Sequence, residues 1–243
     1  MNVLAQTTDP LGFMTEMRNS LADQGIAYVQ VSQANMFKNY EFDTLYHEHY
    51  SFFSPSSLTT LARLAGFDKC CYLQTDIHGG STLAIFGLST SPVEQAMQSL
   101  NKGRFALGPQ LSDDRPTIMQ AADFSSRASA TCTSLRTVCQ LSRDAGKAVV
   151  MVGVAAKAVT VLQASGIELD FAVDEAKLKI GKFIPGTSVH IQPFEAISDI
   201  QEPCLFIIGA WNFKAEIEGK IKKLRKMRDV TVSVFPFFTL SVL

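Results

Sequence analysis

Residues 147–174 constrain the fold of this chain more than any other stretch. Lys147 to Val152 reads as a strand, and the turn that follows, Gly153-Val154-Ala155-Ala156-Lys157, is built mostly of small residues. Residues 158–165 read as a helix stopped by Gly166, and a second strand over 169–173 ends at Asp174. Small residues at the turn and an acid at the end of the second strand give the geometry of a nucleotide-binding βαβ unit. The strict glycine pattern is absent, because Ala155 and Ala156 stand where glycines would be. From these residues alone the reading stays open between a dinucleotide, another phosphate at the helix start, and no ligand.

The flanking sequence extends this α/β pattern in both directions. Strands at 188–191, 204–208 and 230–234, with a helix at about 212–226, complete a small doubly wound domain. Toward the N-terminus, Leu11, Met14, Met17 and Leu21 have helical spacing within 10–23, with Gly25 as a stop, and 26–31 reads as a buried strand. Residues 33–54 show no period and read as a long loop. A helix opens at Pro55 with Ser54 as its N-cap and runs to Gly66; strands at 69–75 and 82–88 follow. Residues 92–146 are largely helical, broken at 103–116, and the second piece reads as a long polar connector ending at Gly146.

At 243 residues, the chain has room for one large domain or two small ones, and 47% apolar against 19% charged residues suffices for a real core. A net charge of −1 leaves no electrostatic footprint for nucleic acid or an anionic membrane, so neither is expected as a partner. The basic run at 220–228 alternates with Ile217, Ile221 and Leu224 and reads as the solvated face of an amphipathic helix. No apolar stretch reaches the length of a membrane span, and residues 1–20 lack a signal pattern. The five cysteines form no CxxC pair, which argues against a zinc site built within the chain and against a disulfide framework. A cytoplasmic chain with reduced cysteines and no metal is the expectation.

Three of the four histidines fall in two short segments, Tyr46-His47-Glu48-His49 and Ile77-His78-Gly79-Gly80. Histidine changes charge near neutral pH, and a tyrosine and a glutamate beside it suggest proton transfer more than packing. The first segment lies on a loop after a strand, where scaffolds usually carry their chemistry.

The run Glu41-Phe42-Asp43-Thr44-Leu45-Tyr46-His47-Glu48-His49-Tyr50-Ser51-Phe52-Phe53-Ser54 resembles the signature of the sugar C-methyltransferases, and Ile77-His78-Gly79-Gly80-Ser81 is similar to the family's second signature. Gly153 to Lys157, Val173-Asp174, Gly181-Lys182-Phe183-Ile184-Pro185-Gly186-Thr187 and Ala210-Trp211-Asn212-Phe213-Lys214 with Glu216-Ile217 resemble its C-terminal Rossmann-like domain. The resemblance implies methyl transfer from S-adenosylmethionine to C3 of a nucleotide-linked 4-keto deoxysugar. It also implies an α/β chain in which a truncated class I methyltransferase-like domain precedes a small doubly wound Rossmann-like domain. Residues 1–90 would be the C-terminal half of the methyltransferase domain, 91–146 a helical connector, and 147–243 the Rossmann-like domain. Family members begin with a cysteine-rich zinc domain and a glycine loop that cradles the methyl donor, whereas Asn2-Val3-Leu4-Ala5 resembles the segment after the middle strand. The cofactor-binding residues are therefore unassigned, and a partner chain carrying the S-adenosylmethionine half is expected. A non-catalytic nucleotide-sugar-binding module and a gene fragment stay open as alternatives.

Within that chemistry, His49 is the candidate base for a proton beside the ketone, Tyr46 the donor to the developing oxyanion, and Glu48 the residue that orients a histidine or the sugar hydroxyls. His47 and the His78-Gly79-Gly80 turn are candidates for the sugar, since two glycines let the backbone come close. Lys157, at the helix start, is a candidate for a diphosphate, and Trp211 and Asn212 for the base. Each has a plainer alternative: a backbone hydrogen bond for His47, a core position for Tyr46, a turn for His78, solvent for Lys157, and an N-cap for Asn212.

Overall fold

The computed structural model describes residues 2–31, 36–75, 80–101 and 118–243, and divides them into two compact units. One unit comprises residues 1–38 and 47–121; the other comprises 122–243 together with the distant segment 39–46.

In the N-terminal unit, Asp9 caps helix α1 (Pro10–Asn19) through a bond from the Gly12 amide to its Oδ1, and Pro10 occupies the first turn. The helix ends before the expected 23: the Ser20 amide and hydroxyl both return to the Glu16 carbonyl. Strand β1 (Ile26–Val31) leads to a short helix, α2 (Met36–Asn39), inside what reads as unpatterned loop. Helix α3 (Pro55–Leu64) opens on a capping box in which Ser54 and Ser57 exchange side-chain-to-amide bonds. Strands β2 (Lys69–Thr75) and β3 (Ser81–Gly87) follow, then helix α4 (Val93–Asn101).

The sheet order is β1-β3-β2, with β3 antiparallel to both neighbours, so β1 and β2 run parallel to one another. Every residue of β3 is buried, because both faces are covered. Met14, Leu58 and Phe67 pack with Val29, Tyr72 and Phe86 on one face; Leu73, Leu83 and Ile85 pack with Val93 and Met97 on the other.

The C-terminal unit is built on β4 (Ala148–Val152), α6 (Ala156–Ser165) and β5 (Phe171–Asp174), the predicted βαβ unit. Gly166 takes the left-handed conformation that ends α6. Next come β6 (Ile191–Pro193), β7 (Cys204–Ile208), helix α7 (Lys214–Leu224), β8 (Val230–Ser233) and β9 (Thr239–Val242). The sheet order is β6-β5-β4-β7-β8-β9, parallel except for the antiparallel edge strand β9. This is a Rossmann-like α/β layer, with Val150, Val152, Phe206 and Ile208 meeting Phe194, Ile197, Ile217 and Ile221 across one face.

Helix α5 (Ile118–Asp144), expected as a polar connector, buries Cys132, Leu135 and Cys139 at helical spacing. Its Arg136 donates to the Ser165 carbonyl, and its Arg143 to Asp170 and to the Glu168 carbonyl. It therefore packs as part of the C-terminal unit. The strand expected at 188–191 lies at 191–193, because His190 instead bridges back to Phe183, with the rings 3.7 Å apart. The basic run is not wholly solvated either. Arg225 is 6% exposed and forms a two-pronged pair with Asp229.

Candidate active site

The segment 39–46, which delivers the chain to the histidine motif, belongs to the C-terminal unit and is pinned there at several points. Tyr40 takes a left-handed backbone conformation (φ 55°), unusual outside glycine and asparagine. Its hydroxyl donates to Asp123 of α5 at 2.8 Å, and the Arg127 guanidinium lies 4.4 Å from its ring centre. Phe42 meets Phe235 edge-on at 5.5 Å. Phe42–Thr44 form a 3₁₀ turn, closed by the Leu45 amide on the Phe42 carbonyl.

Two acids in this segment are out of water. Glu41 accepts from the Asn39 amide nitrogen at 2.9 Å, and burial holds its carboxyl above the usual range. Asp43 is 0% exposed; its Oδ2 accepts from Trp211 Nε1 at 3.1 Å and faces Lys157 Nζ at 3.9 Å. Burial also raises Asp43, against the lowering effect of Lys157 and Trp211.

Tyr46 is half-buried, and its amide donates to the Thr44 carbonyl at 3.0 Å. The boundary between the units falls between Tyr46 and His47. His47 and Glu48 lie exposed in a turn. His49 is 7% exposed, its ring edge-on to Phe52 at 6.0 Å, and the backbone just beyond it is tied down by the Ser51 amide on the Ala5 carbonyl. Gly80 is buried at the entrance to β3 with φ 131°, a conformation that side chains rarely adopt. His78 and Gly79 lie outside the described residues.

The C-terminal candidates turn inward. Lys157 is neither solvated nor aimed at an open phosphate site: its side chain is 17% exposed, against Asp43 and 5.3 Å from the Trp211 ring centre. Trp211 spends its donor on Asp43. Asn212 is exposed and is not an N-cap, because Trp211–Phe213 already form a 3₁₀ turn and the residue preceding α7 is Phe213. The helix-start amides are also partly committed. Val154 N donates to Asp174 Oδ2, and Lys179 bridges Asp174 and the Val154 carbonyl. Burial pushes Asp174 up, but bonds from Ala176, Lys179 and Val154 outweigh it and hold the carboxyl below its ordinary value.

Above the carboxyl ends of β4, β5 and β7, where the strand order reverses, lies a cavity of about 270 Å³. Gly153, Ala155, Phe194, Ala210 and Phe213 line it with Lys179, Lys220, Glu175 and Glu216. Lys220 is already paired with both glutamates, at 2.7 and 2.8 Å. With Asp174 also in the lining, the cavity sets three acids against two lysines on an otherwise apolar surface, and is not a cationic phosphate cradle. Nucleophilic cysteine chemistry has no support in this unit: burial pushes Cys139 up to about 11 and Cys204 up to about 12.

A C-methyltransferase C-terminal domain matches residues 76–236, about two thirds of the chain, and a methyltransferase domain matches residues 1–72. The chain belongs to the C-methyltransferase family. It is similar to the C-methyltransferase NovU of Streptomyces niveus, 29% identical over 202 residues, which are 81% of this chain and 47% of that relative. The chain therefore spans about half the length of the relative it matches.

Methyltransferase families of this kind use S-adenosylmethionine as methyl donor. The described residues do not fit it: the β1-β3-β2 sheet has antiparallel junctions with no strand–glycine-loop–helix turn, and the Gly153–Lys157 turn is occupied by Asp174 and Lys179.

Glu41 and Asp43 carry no assigned role in the motif as it reads in the sequence. The signal was nonetheless there. Two acids flank a phenylalanine, and Lys157 is a lone cation among Ala155, Ala156, Ala158 and Val159. Charges set in apolar runs need a buried partner.

Proposed function

We propose that this chain carries the substrate-activating chemistry of a C-methyltransferase acting on a nucleotide-linked 4-keto deoxysugar. The observation that carries this reading is His49: an imidazole largely out of water, in a fixed backbone, three residues beyond Tyr46 in a member of this family. In the reaction, His49 takes the proton from C3, the C–H electron pair moves into the C3–C4 bond, and the carbonyl π pair moves onto oxygen. Tyr46 donates a hydrogen bond to that enolate oxygen, and His47 and Glu48 contact the sugar. This chain's part ends there, with C3 left as the nucleophilic carbon of an enolate. We assign the donor site to sequence of the kind that fills the rest of the relative's length, on the same polypeptide or on a partner chain. The 47% coverage supports this assignment.

Enolisation needs no methyl donor, which supplies a direct test. In D2O, the chain is incubated with a nucleotide-linked 4-keto-6-deoxysugar, and deuterium at C3 is followed by mass spectrometry. The chain should exchange that proton well above the buffer rate, and His49→Ala should lower the exchange by a factor of about 10²–10⁴, the range typical of a general base. Exchange at the buffer rate by the native chain would remove the catalytic reading. Ligand binding without exchange would favour a binding module, with the cavity above β4 and β7 as its seat.

A further inference from the structure

Asp43 and Lys157 form a buried pair that the proton-transfer chemistry does not use. Asp43 Oδ1 and Lys157 Nζ have no hydrogen-bond partner among the described residues, and the space beside them, about 20 Å³, has room for one water. A buried ion pair with unfilled hydrogen bonds is a poor source of stability, because desolvation consumes most of the attraction. What such a pair supplies is direction. One oxygen of Asp43, Oδ2, meets both the Trp211 N–H and the Lys157 ammonium.

From that anchor the backbone is stiff. The Leu45 amide bonds the Phe42 carbonyl at 3.0 Å and the Tyr46 amide bonds the Thr44 carbonyl at 3.0 Å, so the main chain from Asp43 to Tyr46 is held turn by turn. We propose that Asp43, gripped by Lys157 and Trp211, is a positioning residue that fixes the chain entering Tyr46-His47-Glu48-His49. Lys157 and Trp211 then serve the motif's geometry rather than a phosphate. This inference rests on the proposed role of that motif.

Trp211 is the only tryptophan of the chain, so its fluorescence reports the grip directly. Asp43→Ala should shift the Trp211 emission to the red and speed amide hydrogen exchange over residues 44–49 at least tenfold. The saturated rate of C3 deuteration should fall at least tenfold, with KM within about twofold. Asp43→Asn keeps an acceptor for Trp211 Nε1 and should lie between Asp43→Ala and wild type in all three. Unshifted emission in a folded Asp43→Ala overturns the grip; shifted emission with unchanged amide exchange and unchanged deuteration overturns the positioning role. If the native chain enolises nothing, the functional reading fails by itself, and amide exchange still decides the grip. Should Asp43→Ala not fold, Trp211→Phe, which removes the indole donor and keeps an aromatic ring, carries the same test by amide exchange.

Discussion

Glu41 holds a carboxylate out of water two residues ahead of Asp43, and its burial has a thermodynamic sign. Burial raises its pKa in the fold, opposed by the Asn39 hydrogen bond and by Lys157, and reinforced by the neighbouring Asp43 charge. A raised carboxyl pKa means that the folded state holds the proton longer than the unfolded chain does. Stability therefore falls as pH rises from the ordinary glutamate pKa through the raised one, and the deficit persists at neutral pH. Glu41→Gln keeps the acceptor for Asn39 and cannot ionise. It should match wild type in acid and melt higher at pH 7, each kcal/mol recovered being worth about 2–4 °C in a chain of this size. Melting curves between pH 4 and 8 check this; a variant that melts lower at pH 7 would refute it. Natural chains tolerate such a deficit where a charge serves function, and the acid pair stands immediately before the histidine motif.

Elements in the C-terminal unit are joined by a few buried polar groups, and Arg225 at the end of α7 is the clearest. Its guanidinium donates to the carbonyls of Ile197, Ile200 and Glu202 and to both oxygens of Asp229, whose Oδ1 also accepts the amide that opens β7. Arg225→Met would leave the Asp229 carboxylate buried without its cation, and should cost about 3–5 kcal/mol. Urea denaturation measures it, and a loss under 1 kcal/mol would show the joint to be dispensable. The contrast with what the sequence makes legible is physical. Strands β1, β2, β4 and β7 and helix α3 are readable because period, capping and breakers are local signals: Ser54, Pro55 and Gly166 each act within a turn of their own position. Arg225, Asp43 and Lys157 are not readable in that way, since their burial is decided by partners 23 to 168 residues distant, from Glu202 for Arg225 to Trp211 for Asp43. The histidine motif obeys the same rule: its residue types can be read in the chain, but its supports, Tyr40 on Asp123 and Asp43 on Lys157, cannot. Edge strand β9 was missed because a single partner imposes little pattern on it.

At the scale of the molecule, the unit closed by β4 to β9 is not contiguous in the chain, since it includes residues 39–46. A cut that follows the apparent sequence boundary, before 118 or 147, would strip that segment away. Phe42 is buried against Phe235, and withdrawing it alone removes roughly 1.5–3 kcal/mol of apolar burial. The same cut takes the Asp43 carboxylate from Trp211 and Lys157, and Tyr40 from Asp123 and Arg127. A fragment of residues 118–243 should therefore unfold at lower urea than the corresponding transition of the full chain, with its tryptophan emission shifted to the red. A fragment of 147–243, which also lacks Leu135 and Cys139 of α5 and the Arg136 bond to Ser165, should be weaker still. Supplying residues 39–46 through a flexible N-terminal linker should move both midpoint and emission of the 118–243 fragment back toward the full chain, because the indole regains its acceptor. If the bare 118–243 fragment already shows the full chain's midpoint and emission, the segment is only laid on the unit's surface, and its place in the fold does nothing to hold the motif that follows it.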